Sequence, residues 1–246
     1  MVCLFIIAFS GSAFGSTYYG YDTWGGIAHD ANKTGAGDSN LCWAAAASNI
    51  LDWAGYDTAA YNNETAIFSD FESHWTNVGD LPKYGWYWYL YGVNNSPGGS
   101  DWSQVDLAGG GNNWPSVPWS VYQEQGVDSK AMSAVDSFLH SGYGVTLAIY
   151  SSNGGHTLTC WGYDYDADDY QGVWVTDSDD GVTGIVYYPV SLSSNVWNLG
   201  GSRFNGWYIG AVEALARNVT EVPEPTTLML LGFGLLGLAG LRKKNN

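Results

Sequence analysis

Along the first half of the chain the apolar positions fall at helical spacing. Ala46, Ile50, Trp53 and Ala54 share one face, Gly55 ends the run, and Ser39 or Asn40 can cap its start. A second helix is predicted over Ala60 to Val78, where Ile67, Phe71 and Trp75 stand four apart. Next come "KYGWYWYLYGVNN" and then "SPGGSDWSQVDLAGGGNNWPSVPW", a stretch rich in Gly, Pro and Trp. A loop of that length is usually functional or mobile. A further helix fits Ser129 to His140, because Met132, Val135 and Leu139 share a face and Gly142 stops it. Ahead of all these, Tyr18 to Asn40 is turn-rich with little periodicity.

Beyond Gly142 the period changes to two. "GVTLAIYS" alternates Val145, Leu147 and Ile149, and "HTLTCWGYD" puts His156, Leu158 and Cys160 on one side. "GVWVTD" aligns Val173, Val175 and Asp177, while "GIVYYPV" and "WYIGAVEAL" supply two more strands. Helices first and an antiparallel sheet second predict an α+β fold, N-terminal helices packed on a C-terminal sheet, with no internal repeat.

Charge narrows the function. The 246 residues carry 24 acidic side chains against 8 basic ones, a net charge of −16. Such a field repels phosphate backbones, which argues against a nucleic-acid partner. Low charge density with 33 Gly, 13 Trp and 18 Tyr reads as a β-rich, aromatic-heavy extracellular protein.

Both ends read as addresses. "MVCLFIIAFSGSAFGS" is an apolar run ending in small residues, with Ala13 and Gly15 placed for cleavage before Ser16, so residues 1–15 are expected to be a signal peptide. At the other end Pro223 and Pro225 precede about 16 apolar or small residues and then Arg242, Lys243 and Lys244. Residues 227–241 are short for a stable membrane span but long enough for transient membrane association, with the basic trio on the cytoplasmic side. Residues 222–246 resemble the PEP-CTERM sorting signal of Gram-negative bacteria, which implies export, a sorting machinery as partner, and processing at the envelope or in the extracellular matrix. Between the two addresses, residues 16–221 are expected to form one domain, a monomer.

Removing the signal also removes Cys3 and leaves Cys42 and Cys160, a pair that an oxidising compartment would by default join. Against that stands the placement of Cys42 at a predicted helix start, where unpaired N–H groups and the helix dipole favour a thiolate and the Cys42 N–H faces a developing oxyanion. The acidic stretch "DYDADDYQG" reads as a hairpin turn. If it centres between Asp166 and Ala167, His156 lies opposite Asp177; centred one residue later, His156 lies opposite Asp179. Either register sets a carboxylate beside the imidazole, with about 5 Å between their Cβ atoms, an orienting pair for a general base. Cys160 falls about 13 Å along the strand from His156, beyond disulfide reach of a Cys42 that serves that histidine, so two free thiols are expected.

Three stretches, "NLCWAAAASNILDW", "HTLTCWGYDYD" and "VWVTDSDD", resemble the Mac (IdeS-type) family of immunoglobulin-cleaving, papain-like cysteine endopeptidases. The resemblance implies a papain-like fold, with Cys42 as nucleophile, His156 as base, Asp177 as orienting acid and Asp179 as a supporting carboxylate. It places a lysine about ten residues before the cysteine at the oxyanion hole, and Lys33 is the candidate. It covers residues 57–130 poorly, so a protein or peptide substrate is implied and antibody cleavage is not. No metal or organic cofactor is required. Asp164, Asp166 and Asp168 alternate as in a calcium loop, but no glutamate follows at the twelfth position and a solvated turn explains them as well. His29, His74 and His140 read as structural or exposed. The aromatic run "YGWYWYLYG" fits core and groove-lining roles better than a sugar platform. The competing function is a surface-displayed polysaccharide- or protein-binding module on an idle scaffold.

Overall fold

The computed structural model describes residues 15–35, 37–95, 110–126, 128–166, 169–179, 181 and 183–218. Residues 1–14 of the expected signal peptide, the C-terminal segment, Asp168 and most of the Gly-rich loop lie outside these residues. The described elements run β1 (Ser16–Tyr19), α1 (Gly20–Trp24), α2 (Cys42–Trp53), α3 (Glu64–His74), α4 (Pro82–Asn95), β2 (Tyr122–Gly126) and α5 (Ala131–His140). They continue as β3 (Tyr143–Ser151), β4 (Gly154–Asp166), β5 (Asp169–Thr176), β6 (Val186–Ser193), β7 (Val196–Leu199) and β8 (Trp207–Ala216).

The sheet closes. Its order β4–β3–β8–β7–β6–β5 returns from β5 to β4, giving a six-stranded antiparallel barrel, with β1 added on β4 and β2 on β8. This overturns the expected papain-like α+β fold of helices packed on a sheet, because the barrel is the body of the protein. The cause lies in β4. Its first half pairs with β3 through Val145↔Cys160 to Ser151↔Gly154, while residues from Thr159 onward pair with β5 along the other edge. Register shifts at Cys160/Gly162 and Asp164/Tyr165 mark bulges there, and bulges add the bend and twist that closure needs. Gly162 is required at the first of them, since a Cβ would collide with the Tyr18 carbonyl of β1.

Alternation along β4 sorts its two faces. Leu158 and Cys160 join one apolar cluster with Val145, Leu147, Val175, Val212 and the buried face of α5. Trp161 turns the other way, into a second cluster with α2, α3 and α4. Helix α2 is buried on all sides except at Asp52, not on the single face that its spacing predicts, because the barrel covers one side and α3 and α4 the other. Its alanines permit that close approach, as does Gly144 in β3, where a Cβ would lie 2.7 Å from Ile50. The buried amide of α2, Asn49, is paired with the Thr159 hydroxyl at 3.0 Å and the Ala31 N–H at 2.7 Å.

Helix α3 is shorter than predicted. Asn63 caps it by accepting from the Ala66 N–H at 2.8 Å, and the chain leaves helical geometry at Trp75. The aromatic run forms α4, broken at Gly92. Trp86, Trp88 and Tyr89 are fully buried there, so these rings are core and present no platform to a sugar. Each such ring contributes roughly 2–3 kcal/mol by leaving water.

Candidate active site

Cys42 opens α2. As the first helical residue its N–H has no acceptor a turn earlier, and its cap residue Leu41 offers no side-chain bond, so neither Ser39 nor Asn40 caps the helix as predicted. The thiol lies at a cleft of about 300 Å³ lined also by Gly79, Asp80, Leu81, Tyr150, His156 and Thr157. His156 stands near the start of β4, stacked on Phe204 with ring centroids 5.7 Å apart. Its Nε2 meets Asp177 Oδ1 at 2.8 Å, which leaves Nδ1 for Cys42, its other side-chain partner.

The hairpin resolves the two registers in an unexpected way. Asp166 pairs with Asp169 and Thr159 with Thr176, the register that would carry His156 opposite Asp179. The ladder stops at Thr176, however, and the chain turns at Ser178 and Asp179. That turn swings Asp177 back onto the imidazole, while Asp179 Oδ2 stays 3.7 Å from Nδ1. Asp177 is fully enclosed. Its Oδ1 also accepts from the Asp179 N–H at 3.0 Å, and its Oδ2 pairs with Arg203 Nε at 3.1 Å.

Lys33 arrives from the turn-rich segment, held by its N–H on the Ser178 carbonyl at 3.2 Å. Its Nζ binds Asp179 Oδ1 at 2.6 Å and donates to the Ser39 carbonyl at 2.7 Å. An ammonium has three donors, so one remains. The structure therefore gathers Cys42, His156, Asp177, Asp179 and Lys33 at one place. The sequence reading missed Arg203 and Phe204. A signal existed for Arg203: outside the tail the chain has only Lys33, Lys83, Lys130, Arg203 and Arg217 as cations, and two of them converge here.

The electrostatics of the cluster favour an ion pair. Burial pushes the Cys42 thiol up, but the hydrogen bond and charge of His156, the charge of Lys33 and a backbone bond at Thr157 outweigh it and bring it below its ordinary value. Burial alone would lower the His156 pKa, yet its bonds to Asp177 and Cys42 push it up to about 9. Asp177 is raised by burial and lowered more by His156, the Asp179 N–H and Arg203, so it stays ionised. A thiolate beside an imidazolium, oriented by a carboxylate, is a nucleophile and a proton donor in contact. Cys160 is different. It is a free thiol like Cys42, but full burial raises it to about 12.

Residues 221–244 match the PEP-CTERM protein-sorting motif. That motif indicates export and association with the envelope of a Gram-negative bacterium, and it implies recognition by a sorting machinery. No curated protein matches the sequence. Among the described residues no helix is long and apolar enough to cross a membrane, and the segment expected to associate with one, residues 227–241, lies outside them.

Proposed function

We propose that the protein is an exported cysteine endopeptidase that hydrolyses peptide bonds of an extracellular protein. The observation that carries this reading is the contact series Cys42–His156–Asp177 at one cleft, with Nε2 and Oδ1 2.8 Å apart. The likeness of the three site stretches to the Mac (IdeS-type) endopeptidases supports it and rests on those stretches alone.

In this reading the Cys42 thiolate attacks the scissile carbonyl carbon, and the carbonyl electron pair moves to oxygen. The Cys42 N–H and the remaining Lys33 donor receive that oxyanion. His156 gives its Nδ1 proton to the leaving amine as the C–N bond breaks, which leaves a thioester on Cys42. The neutral imidazole then takes a proton from water, the hydroxide displaces the thiolate, and the acid product departs. Asp177 keeps Nε2 protonated throughout, so Nδ1 is the nitrogen that gives and takes the proton.

Iodoacetamide tests the reading directly. Activity on a protein substrate is expected to disappear in step with alkylation of Cys42, which proceeds already near pH 6. Cys160, fully buried and with its thiol pushed up by that burial, stays unlabelled in the native protein. The pH profile should fall on the alkaline side near 9, where His156 loses its proton and the leaving amine its donor. The stability linkage has the same sign. The His156 contribution is complete below its unfolded value of about 6.5 and is lost as pH rises through about 9. Activity that survives full alkylation of Cys42 would defeat the proposal.

Lys33→Ala isolates the oxyanion donor. The expected result is a fall in kcat of roughly 10²–10³ with little change in KM. A variant within threefold of wild type would assign the second donor elsewhere.

A further inference from the structure

Away from the cleft, three side chains from three segments meet. His29 comes from the turn-rich stretch, Asp52 from the last turn of α2, and Glu64 from the first residue of α3. His29 Nδ1 lies 2.9 Å from Asp52 Oδ2 and 3.1 Å from Glu64 Oε2. The three donor atoms all fall within 4.8 Å of one another, and the side chains keep only 12–25 % of their exposure. Two carboxylates thus share the single N–H of one imidazole, in a chain already at −16. Asp52 Oδ2 also accepts from the Glu64 N–H at 3.1 Å, and even a protonated imidazole offsets only one of the two carboxylates in this largely buried place.

We propose that His29, Asp52 and Glu64 bind a divalent first-row transition-metal cation, of the Mn²⁺ or Zn²⁺ class. Geometry and charge both favour it. Six-coordinate Mn²⁺ with bonds of about 2.1 Å has ligand–ligand edges of about 3.0 Å and tetrahedral Zn²⁺ edges of about 3.3 Å; the two separations here are hydrogen-bond lengths while the proton is in place, and they already hold the donor atoms within that range. One nitrogen and two carboxylate oxygens suit Mn²⁺ and Zn²⁺, whereas Ca²⁺ takes six or more oxygens at longer range. On binding, Nδ1 releases its proton to solvent, the nitrogen lone pair takes the metal, and two positive charges neutralise the two carboxylates. The partial exposure leaves room for water to complete the coordination.

The role would be architectural. The His29 carbonyl accepts from the Thr176 hydroxyl at 2.9 Å, one residue before Asp177. Two residues after His29, the Ala31 N–H is tied to Asn49 in α2, and Lys33 follows. A cation here would pin the segment that carries Lys33 and the end of β5 to the α2–α3 corner. Nothing in this inference depends on peptidase activity.

The test is calorimetry and thermal melting of the chelator-stripped full chain with MnCl₂, ZnCl₂ or CaCl₂ as the added salt. One equivalent of Mn²⁺ or Zn²⁺ should bind, with a rise in Tm of about 5 °C at a hundredfold excess over Kd. Glu64→Gln and His29→Ala should each lose that response. Glu64→Gln preserves shape and helix start, so it stays informative if His29→Ala fails to fold. No binding of either metal would overturn the proposal, as would unchanged binding in Glu64→Gln. A response to Ca²⁺ equal to that of Mn²⁺ would take the imidazole out of the site and overturn it too.

Discussion

Replacing Cys42 with alanine is expected to abolish peptide-bond hydrolysis, by a factor on the order of 10⁶ in kcat, the scale for loss of a nucleophile from a triad. The fold should survive. Position 42 is the first residue of a helix, alanine is the best helix former, and the missing sulfur leaves only a small void, so a cost of about 1 kcal/mol is expected. The variant should also unmask its partner. Cys42 is one of the two groups that raise the His156 pKa, so an NMR titration of that imidazole should move its midpoint down from about 9. Equal hydrolysis by wild type and Cys42→Ala, on protein shown by circular dichroism to be folded, would end the peptidase reading and favour a binding module.

Removing Asp177 should have the next largest effect. Asp177→Ala takes away the acceptor bonded to Nε2, frees the ring to turn, and strips Arg203 of its carboxylate. A loss of about 10³–10⁴ in kcat is the scale for the orienting acid of a triad. Asp177→Asn should fall between that variant and wild type. One amide oxygen can still accept from both His156 Nε2 and the Asp179 N–H, while its NH₂ turns toward Arg203, a half-buried side chain with room to swing aside. Asp179→Asn should stay within about tenfold, since its carboxylate is 3.7 Å from Nδ1 and a third exposed, and the amide oxygen can still accept from Lys33, which the Ser39 carbonyl also holds. Steady-state kinetics on the three variants decide the order. A steeper loss in Asp179→Asn than in Asp177→Ala would transfer the orienting role to Asp179.

How the hairpin chose between those aspartates shows where sequence reasoning reached its limit. Counting residues from a turn predicts who lies opposite whom only while the ladder continues. Here the pairing follows one register and the side-chain contact follows the other, because β5 ends at Thr176 before the acid is reached. The same restriction explains α4. Its rings are all large, so apolar spacing alone carried little contrast between faces, and burial of Trp86, Trp88, Tyr89 and Leu90 against its neighbours, with Tyr84 and Tyr87 half-buried, completed the helix.

By itself the sequence determined the periodicities of the main strands, the existence of α2, α3 and α5 and the address at the C-terminus, and it singled out Cys42, His156 and the two candidate aspartates, while Lys33 came from the resemblance alone. These are local properties: a period of two or four, a short tail of fixed composition, a cysteine at a helix start. Tertiary structure alone decided that the sheet closes into a barrel, since alternation tells which face a residue occupies and says nothing about which strand lies on its far edge. It decided that Phe204 stacks on the imidazole and that Arg203 pairs with Asp177 behind it, because the turn between β7 and β8 reaches β4 only after closure. It also brought His29 to Asp52 and Glu64, residues that sequence separates and that only the packing of α2 against α3 makes neighbours.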